Sequence, residues 1–306
     1  MNNKVSKIKS KSIIFIILGV LLAMHTVLMI YLMCWGFFAS LKAELGSFNL
    51  FRGNEIGLPK GFPWQWQWSN YSVITKYIYV DVYLKGTSTR VRIGLINMLF
   101  NTLIITFGGA AFSTFVPCLV AYVTTKFDFK FSKFFDTIIL LVMIIPIVGA
   151  YLSEIQVLNT IGLYDTWAGF FLQKTHCISV YYLVFKAVFK GISMSYSEAA
   201  YIEGAGEYTV MFKIVIPLAR TVILTIFLIY FISYWNDYNT PLLYLTTKPT
   251  LAFGIYYIVF KQAENEICNV PMRMAGAFLL FTPILILFSF FRKSIMQNLS
   301  MGGVKE

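Results

Sequence analysis

The sequence predicts an all-α membrane protein with six transmembrane helices and both termini on the cytoplasmic side. Three observations predict it. Only 13% of the 306 residues are charged, while 58% are hydrophobic and 18% are aromatic. Soluble domains carry roughly 25% charge, so this chain lacks the polar residues to cover itself in water. Apolar runs recur at lengths that suit a hydrocarbon core, where a spanning helix needs about 20 residues. Basic residues gather in the segments that six crossings leave inside the cell.

The first twelve residues form a cytoplasmic N-terminus, 1–12, carrying Lys4, Lys7, Lys9 and Lys11. Residues 13–39 are apolar except for His25 and small polar groups, and read as the first transmembrane helix. A signal peptide also starts basic and turns apolar, but this run is too long and no small-residue cleavage site follows. Residues 40–94 are the longest polar interval and read as an extracellular loop. It holds a turn-rich stretch, Gly53 to Pro63, and Trp64, Trp66 and Trp68, which would share one face of a strand. Residues 95–291 then form a five-helix core.

Within that core, 95–122 is the second span, with Gly108, Gly109 and Pro117 inside it. Membrane helices tolerate such residues. Residues 134–152 are the third span, kinked at Pro146. The fourth has an apolar core of only 178–189, so the helix is expected to start earlier, near Trp167, through the polar Gln173 to His176. A polar start is tolerated where it faces protein or water. Residues 218–234 and 272–291 are the fifth and sixth spans, and 292–306 a cytoplasmic tail. This topology places fourteen basic and six acidic residues inside, against ten and eight outside, with Arg273 at the outer end of the sixth span.

Other chemistries find little support. The four cysteines, Cys34, Cys118, Cys177 and Cys268, include no Cys-x-x-Cys pair, which argues against a zinc or iron–sulfur site. Cys34 and Cys118 lie in apolar runs and read as space-filling; Cys177 and Cys268 fall on the same outer side, and the sequence leaves their pairing open. The net charge of +11 is spread among loops rather than gathered on one face, so it does not signal nucleic acid. No histidine, carboxylate and serine set suggests catalysis. Gly204-Ala205-Gly206 lacks the lysine of a phosphate cradle, so no nucleotide cofactor is expected in this chain.

The informative stretch lies in the inner loop 190–217. Ser195 and Glu198 have the spacing of a capping box, so a helix is expected to start at Ser195. Ala199 and Ala200 keep its next turn slim and would let another protein approach. Gly204 suits the left-handed residue that ends a helix. Pro217 suits the first turn of the next membrane helix. An ordinary amphipathic loop on the membrane surface would not need these features together.

This stretch resembles the EAA signature of ABC importer permeases: Glu198-Ala199-Ala200, three residues, Gly204, nine residues, then Ile214-Val215-Ile216-Pro217. Ile216 stands where leucine is usual, and Glu203 where aspartate often precedes the glycine. From residue 95 onward the chain resembles the maltose-type carbohydrate branch. Ser233-Tyr234-Trp235-Asn236-Asp237 is similar to its aromatic-Trp-Asn-acid box, Leu158-Asn159-Thr160 to an outer loop, and Leu299 to Lys305 to its glycine-containing C-terminus.

The resemblance implies the type I ABC importer permease fold in a bacterial cell membrane. It implies a second homologous permease, two ATPase subunits that bind the ATP and Mg, and an extracellular solute-binding protein that delivers a sugar. Glu198, Ala199, Ala200, Glu203, Gly204, Ala205, Ile214 and Pro217 would form the coupling loop to the ATPase. Gly302, Gly303 and Lys305 of the tail would touch the same partner. Tyr234, Trp235, Asn236 and Asp237 are substrate-path candidates, although tryptophan and tyrosine also gather at membrane interfaces without any ligand. A non-sugar solute is the alternative within the family. An ion-driven secondary transporter is the alternative outside it, and predicts ionisable residues mid-membrane, of which the spans hold few beyond His25.

Overall fold

The computed structural model describes residues 2–42, 66–83, 89–127, 131–145, 149–261 and 270–301, and these are mostly helical. The chain divides into two compact units, Met1–Tyr77 with Ile258–Leu279, and Ile78–Tyr257 with Leu280–Glu306.

In the first unit, helix α1 (Asn2–Ser40) is a single rod, basic at its start and apolar beyond. Its stretch Phe15–Ser40 has a mean hydropathy of 2.4. Side chains from Phe15 to Trp35 are exposed, His25 and Cys34 among them. A helix apolar all round and uncovered by protein is suited to lipid. Its last turn is held by a short helix from the loop, α2 (Ser69–Tyr77). The Asn70 carboxamide donates to the carbonyls of Ser40 (2.8 Å) and Lys42 (2.9 Å), satisfying groups that a helix end leaves open. Trp66 and Trp68 meet edge to face in the turn before α2, not on a strand, because Trp68 already begins the helix entry. Trp64 lies outside the described residues.

The second unit opens with an antiparallel hairpin that the sequence reading did not anticipate, β1 (Tyr79–Tyr83) and β2 (Arg90–Gly94), with Asp81 opposite Arg92. Val80 and Val82 are buried, while Asp81 pairs with Arg90 at 2.5 Å. The chain then enters α3 (Leu95–Leu103), a π-helical turn (Ile104–Gly108) and α4 (Gly109–Lys126), which together form one apolar stretch of 32 residues. Glycine at 108 and 109 is a packing requirement. A Cβ on Gly108 would meet the Phe171 ring at 2.4 Å, and one on Gly109 the Tyr234 ring at 3.1 Å.

The third and fourth spans differ from expectation. Helix α5 (Ser132–Ile144) stops short of residue 152, and a separate α6 (Ala150–Thr160) starts after Gly149, whose φ is +79°. The kink assigned to Pro146 lies outside the described residues. No continuous helix runs from Trp167 to Phe189. Instead α7 (Trp167–Lys174) and α8 (Val180–Gly191) are separate, each started by a hydroxyl cap, Thr166 and Ser179. The extended Ser179 backbone breaks the helix where the polar Gln173 to His176 precede it.

Helix α4 packs on α8 and on α12 (Arg220–Trp235). One cluster joins Tyr122, Tyr182, Phe185, Phe189 and Ile223; another joins Ile105, Phe170, Phe231 and Trp235. One set of polar side chains is tied together beside the first cluster. Tyr182 donates to Asp136 at 2.7 Å and meets Thr124 at 2.8 Å, and Lys186 pairs with the same Asp136. Such pairing is what a low-dielectric surrounding demands. Beyond α12 come α13 (Asn239–Leu243), α14 (Leu251–Lys261) and α15 (Val270–Met301). Among the described residues, Phe15–Ser40 and Leu95–Lys126 are long and apolar enough to cross a membrane, and Glu207–Leu218 with Arg220–Trp235 passes as a pair bent by 73°. Cys118 is buried as predicted; the pairing of Cys177 falls on Cys268, outside the described residues.

Candidate functional site

The loop after α8 is built from short, firmly closed pieces. Lys126 at the end of α4 donates to the Ile192 carbonyl at 2.7 Å, which fixes where the loop leaves the helices. Helix α9 (Ser195–Ile202) follows. The capping box does not form: Met194 is the N-cap, with helical dihedrals and no side-chain cap. Ser195 sits one residue inside, and its N–H donates to the Ser193 hydroxyl at 3.3 Å. Glu198 occupies the first turn, where a carboxylate complements the helix dipole.

The C-terminus of α9 closes as the sequence predicts. Gly204 has φ +85°. Its N–H bonds the Tyr201 carbonyl at 3.0 Å, and the Ala205 N–H bonds the Ala200 carbonyl at 2.9 Å. These are the two bonds of a Schellman motif. The chain turns back into α10 (Glu207–Val210), and the Tyr201 hydroxyl donates to Glu207 at 2.5 Å across the turn. That hydrogen bond, with some burial, pushes the Tyr201 phenol up to about 12. A π-helical turn (Met211–Val215) and α11 (Ile216–Leu218) lead to the bend at Ala219. Pro217 therefore starts α11 rather than the membrane helix α12, because Ala219 interrupts the helix between them.

Burial sorts the loop residues. Ser197 and Ala200, three apart, form the face packed on the membrane domain, where Ala200 joins the cluster of Tyr122, Phe189, Val210 and Val215. Ala200 is thus an inward contact, not a platform for an approaching protein. Glu198, Ala199, Glu203 and Gly204 are exposed, as is Pro217; Ala205 and Ile214 are half-buried. The sequence reading missed Ile202 and Tyr208, which are 88% and 79% exposed at the tip. The signal was present: Ile202 lies two positions past Ala200, about 200° around the helix and so on the far side.

The segment 234–237 is tied into packing. Tyr234 and Trp235 are buried; the Tyr234 hydroxyl meets Ser113 at 2.8 Å and the Trp235 indole donates to the Leu280 carbonyl at 3.0 Å. Asp237 accepts from the Asn239 and Thr240 N–H groups at 2.8 and 3.0 Å and so caps α13. Asn236 alone is exposed. Lys174, which the sequence reading did not single out, lies over the Tyr234 ring at 4.9 Å. Gly302, Gly303 and Lys305 lie outside the described residues.

Long and interrupted apolar helices, with a closed loop of short helices between α8 and α12, define the class as a helical membrane protein. Residues 113–301 match the family of binding-protein-dependent transport system inner membrane components, and the chain belongs to that family. It is 28% identical over 190 residues to the arabinooligosaccharides transport system permease protein AraQ of Halalkalibacterium halodurans, covering 61% of this chain and 66% of the relative. It is 29% identical over 224 residues to the maltodextrin transport system permease protein MalD of Streptococcus pneumoniae, covering 72% and 78%. The fold is shared with a chain of a bacterial ABC transporter involved in the import of the acidic polysaccharide alginate, at a TM-score of 0.67 and 21% identity over 93% of this chain and 97% of that one.

Proposed function

We propose that this chain is the permease subunit of an ATP-binding-cassette importer for a sugar or oligosaccharide, and that the loop around Glu198 docks it to a separate ATPase. The observation that carries the reading is the closed turn at Gly204, which holds Ile202 and Tyr208 out as exposed apolar groups beside the exposed carboxylates of Glu198 and Glu203. Exposed aromatic and aliphatic anchors on a rigid element suit a protein partner. The permeases for arabinooligosaccharides and maltodextrin among its relatives support the cargo class.

In this reading six crossings leave both termini in the cytoplasm of a bacterial cell. A helix break within a span is tolerated where the freed backbone meets protein or water, and the break between α7 and α8 is closed by the Ser179 cap on α8. A second permease, two ATPase copies and an extracellular binding protein complete the assembly, and hydrolysis occurs in the ATPase. At the outer end, Tyr234, Trp235 and Asp237 hold Asn236 at the path, and the Gly302 to Lys305 tail reaches the ATPase.

The test is co-purification of the tagged protein from its native membrane, beside a Glu198→Lys, Gly204→Asp variant. The wild type is expected to bring an ATPase and a second permease, and the variant to keep the permease and lose the ATPase. A wild type that comes alone and moves solute without ATP refutes the reading.

A further inference from the structure

The break between α11 and α12 opens a cleft of about 540 Å³, lined by Tyr196, Lys213, Ile214, Pro217, Leu218 and Arg220 among others. Two of these are cations and none is an acid. Among the described residues neither Lys213 nor Arg220 forms an ion pair or hydrogen bond through its side chain. Arg220 is the first residue of α12, a helix of 16 residues. The N-terminal end of a helix carries partial positive charge and favours anions. A cation placed there, with a second cation lining the same cleft, raises the local potential further and leaves it uncompensated.

The position of the cleft says which anion would compensate it. From Thr221 onward α12 is largely apolar to Trp235, which sets the cleft at the start of a helix suited to enter hydrocarbon. Leu218 lines the cleft and is half exposed, giving an apolar flank beside the two cations. A lipid headgroup phosphate held in the cleft would direct its acyl chains along that flank. Basic pockets at the cytoplasmic boundary of membrane helices bind acidic headgroups.

We propose that this cleft binds one anionic phospholipid of the phosphatidylglycerol type, with Lys213 and Arg220 as the phosphate contacts and Tyr196 as the hydroxyl wall. The site is independent of the cargo and requires only that α12 enters the membrane at Arg220.

The test places the full chain with its co-purifying partners in nanodiscs of equal phosphatidylglycerol and phosphatidylcholine, and counts retained lipid by native mass spectrometry. The wild type is expected to retain phosphatidylglycerol selectively. Each basic residue near an anionic lipid contributes about five-fold in affinity, so a Lys213→Gln, Arg220→Gln variant should hold it about 30-fold less tightly. A Lys133→Gln variant, which removes an exposed cation outside the cleft, should match the wild type. Equal retention by wild type and double variant overturns the proposal, as does equal retention of both lipids. Displacement of the lipid by millimolar inorganic phosphate would make the cleft a free-phosphate site and overturn it too. So would a double variant that keeps the lipid and sheds the ATPase, which would make the cleft a protein contact.

Discussion

Replacing Gly204 by alanine isolates the backbone geometry of the docking loop. The residue has φ +85°, and a Cβ built there meets nothing within 4 Å. The substitution therefore adds no clash, and its whole cost is the left-handed conformation, about 1–2 kcal/mol for a residue with a Cβ. The strain is relieved if the Ala205-to-Ala200 and Gly204-to-Tyr201 bonds open, which releases the tip carrying Ile202. A cost of that size lowers the closed-to-open ratio of the loop by a factor of about 5 to 30. The dissociation constant for the co-purifying ATPase, measured by titration onto the solubilised permease, should rise, by up to the same factor. Gly206 supplies the control. It also has open space at its Cβ, but its φ is −79°. Alanine fits that region and restricts the unfolded chain, so Gly206→Ala should leave the affinity within about two-fold. Equal effects at 204 and 206, or no effect at 204, would refute the assignment of the loop's rigidity to the turn.

Two further outcomes follow from the same loop. Ala200→Leu should overpack the buried face and cost about 1–3 kcal/mol of stability, read as a lower thermal midpoint in detergent, whereas Ala199→Leu should leave that midpoint unchanged and weaken ATPase association; the reverse pattern would invert the two faces. The Tyr201 phenol, followed by selective ¹³C labelling, should titrate near 12 and fall toward the ordinary value of about 10 in Glu207→Gln. Because the folded value is raised, the tie across the turn is fully present below about pH 10 and is lost as pH rises through about 12; titration at about 10 in both proteins would refute it.

The parts of this protein legible in the sequence are those with local causes. The first and second apolar runs became α1 and the stretch from Leu95 to Lys126 because most residues in them favour the same solvent. The glycine at 204 was legible because only one residue type adopts its conformation freely. Ser195 misled because Ser193, two residues earlier, offers a competing acceptor for the same N–H. The hairpin was hidden by charge. Tyr79 to Tyr83 alternates as a strand should, but Asp81 and the arginines opposite it made the segment read as solvated loop. The breaks at Gly149 and Ser179 were not legible, since hydropathy averages over interruptions of a few residues. Lys174 was missed for a similar reason: only the fold brings it over Tyr234, sixty positions away.

The bare surface of α1 has a consequence for how its sequence can change. The side chains from Phe15 to Trp35 are exposed, so the described residues of this chain impose no shape complementarity on that stretch. What it must match is a thickness. Leucine, isoleucine, valine, phenylalanine and methionine become interchangeable there, and the segment should accept wholesale exchange for another apolar helix of equal length. Its information content is close to a single number, whereas at Gly108 a Cβ would meet the Phe171 ring at 2.4 Å and almost one letter of the alphabet fits.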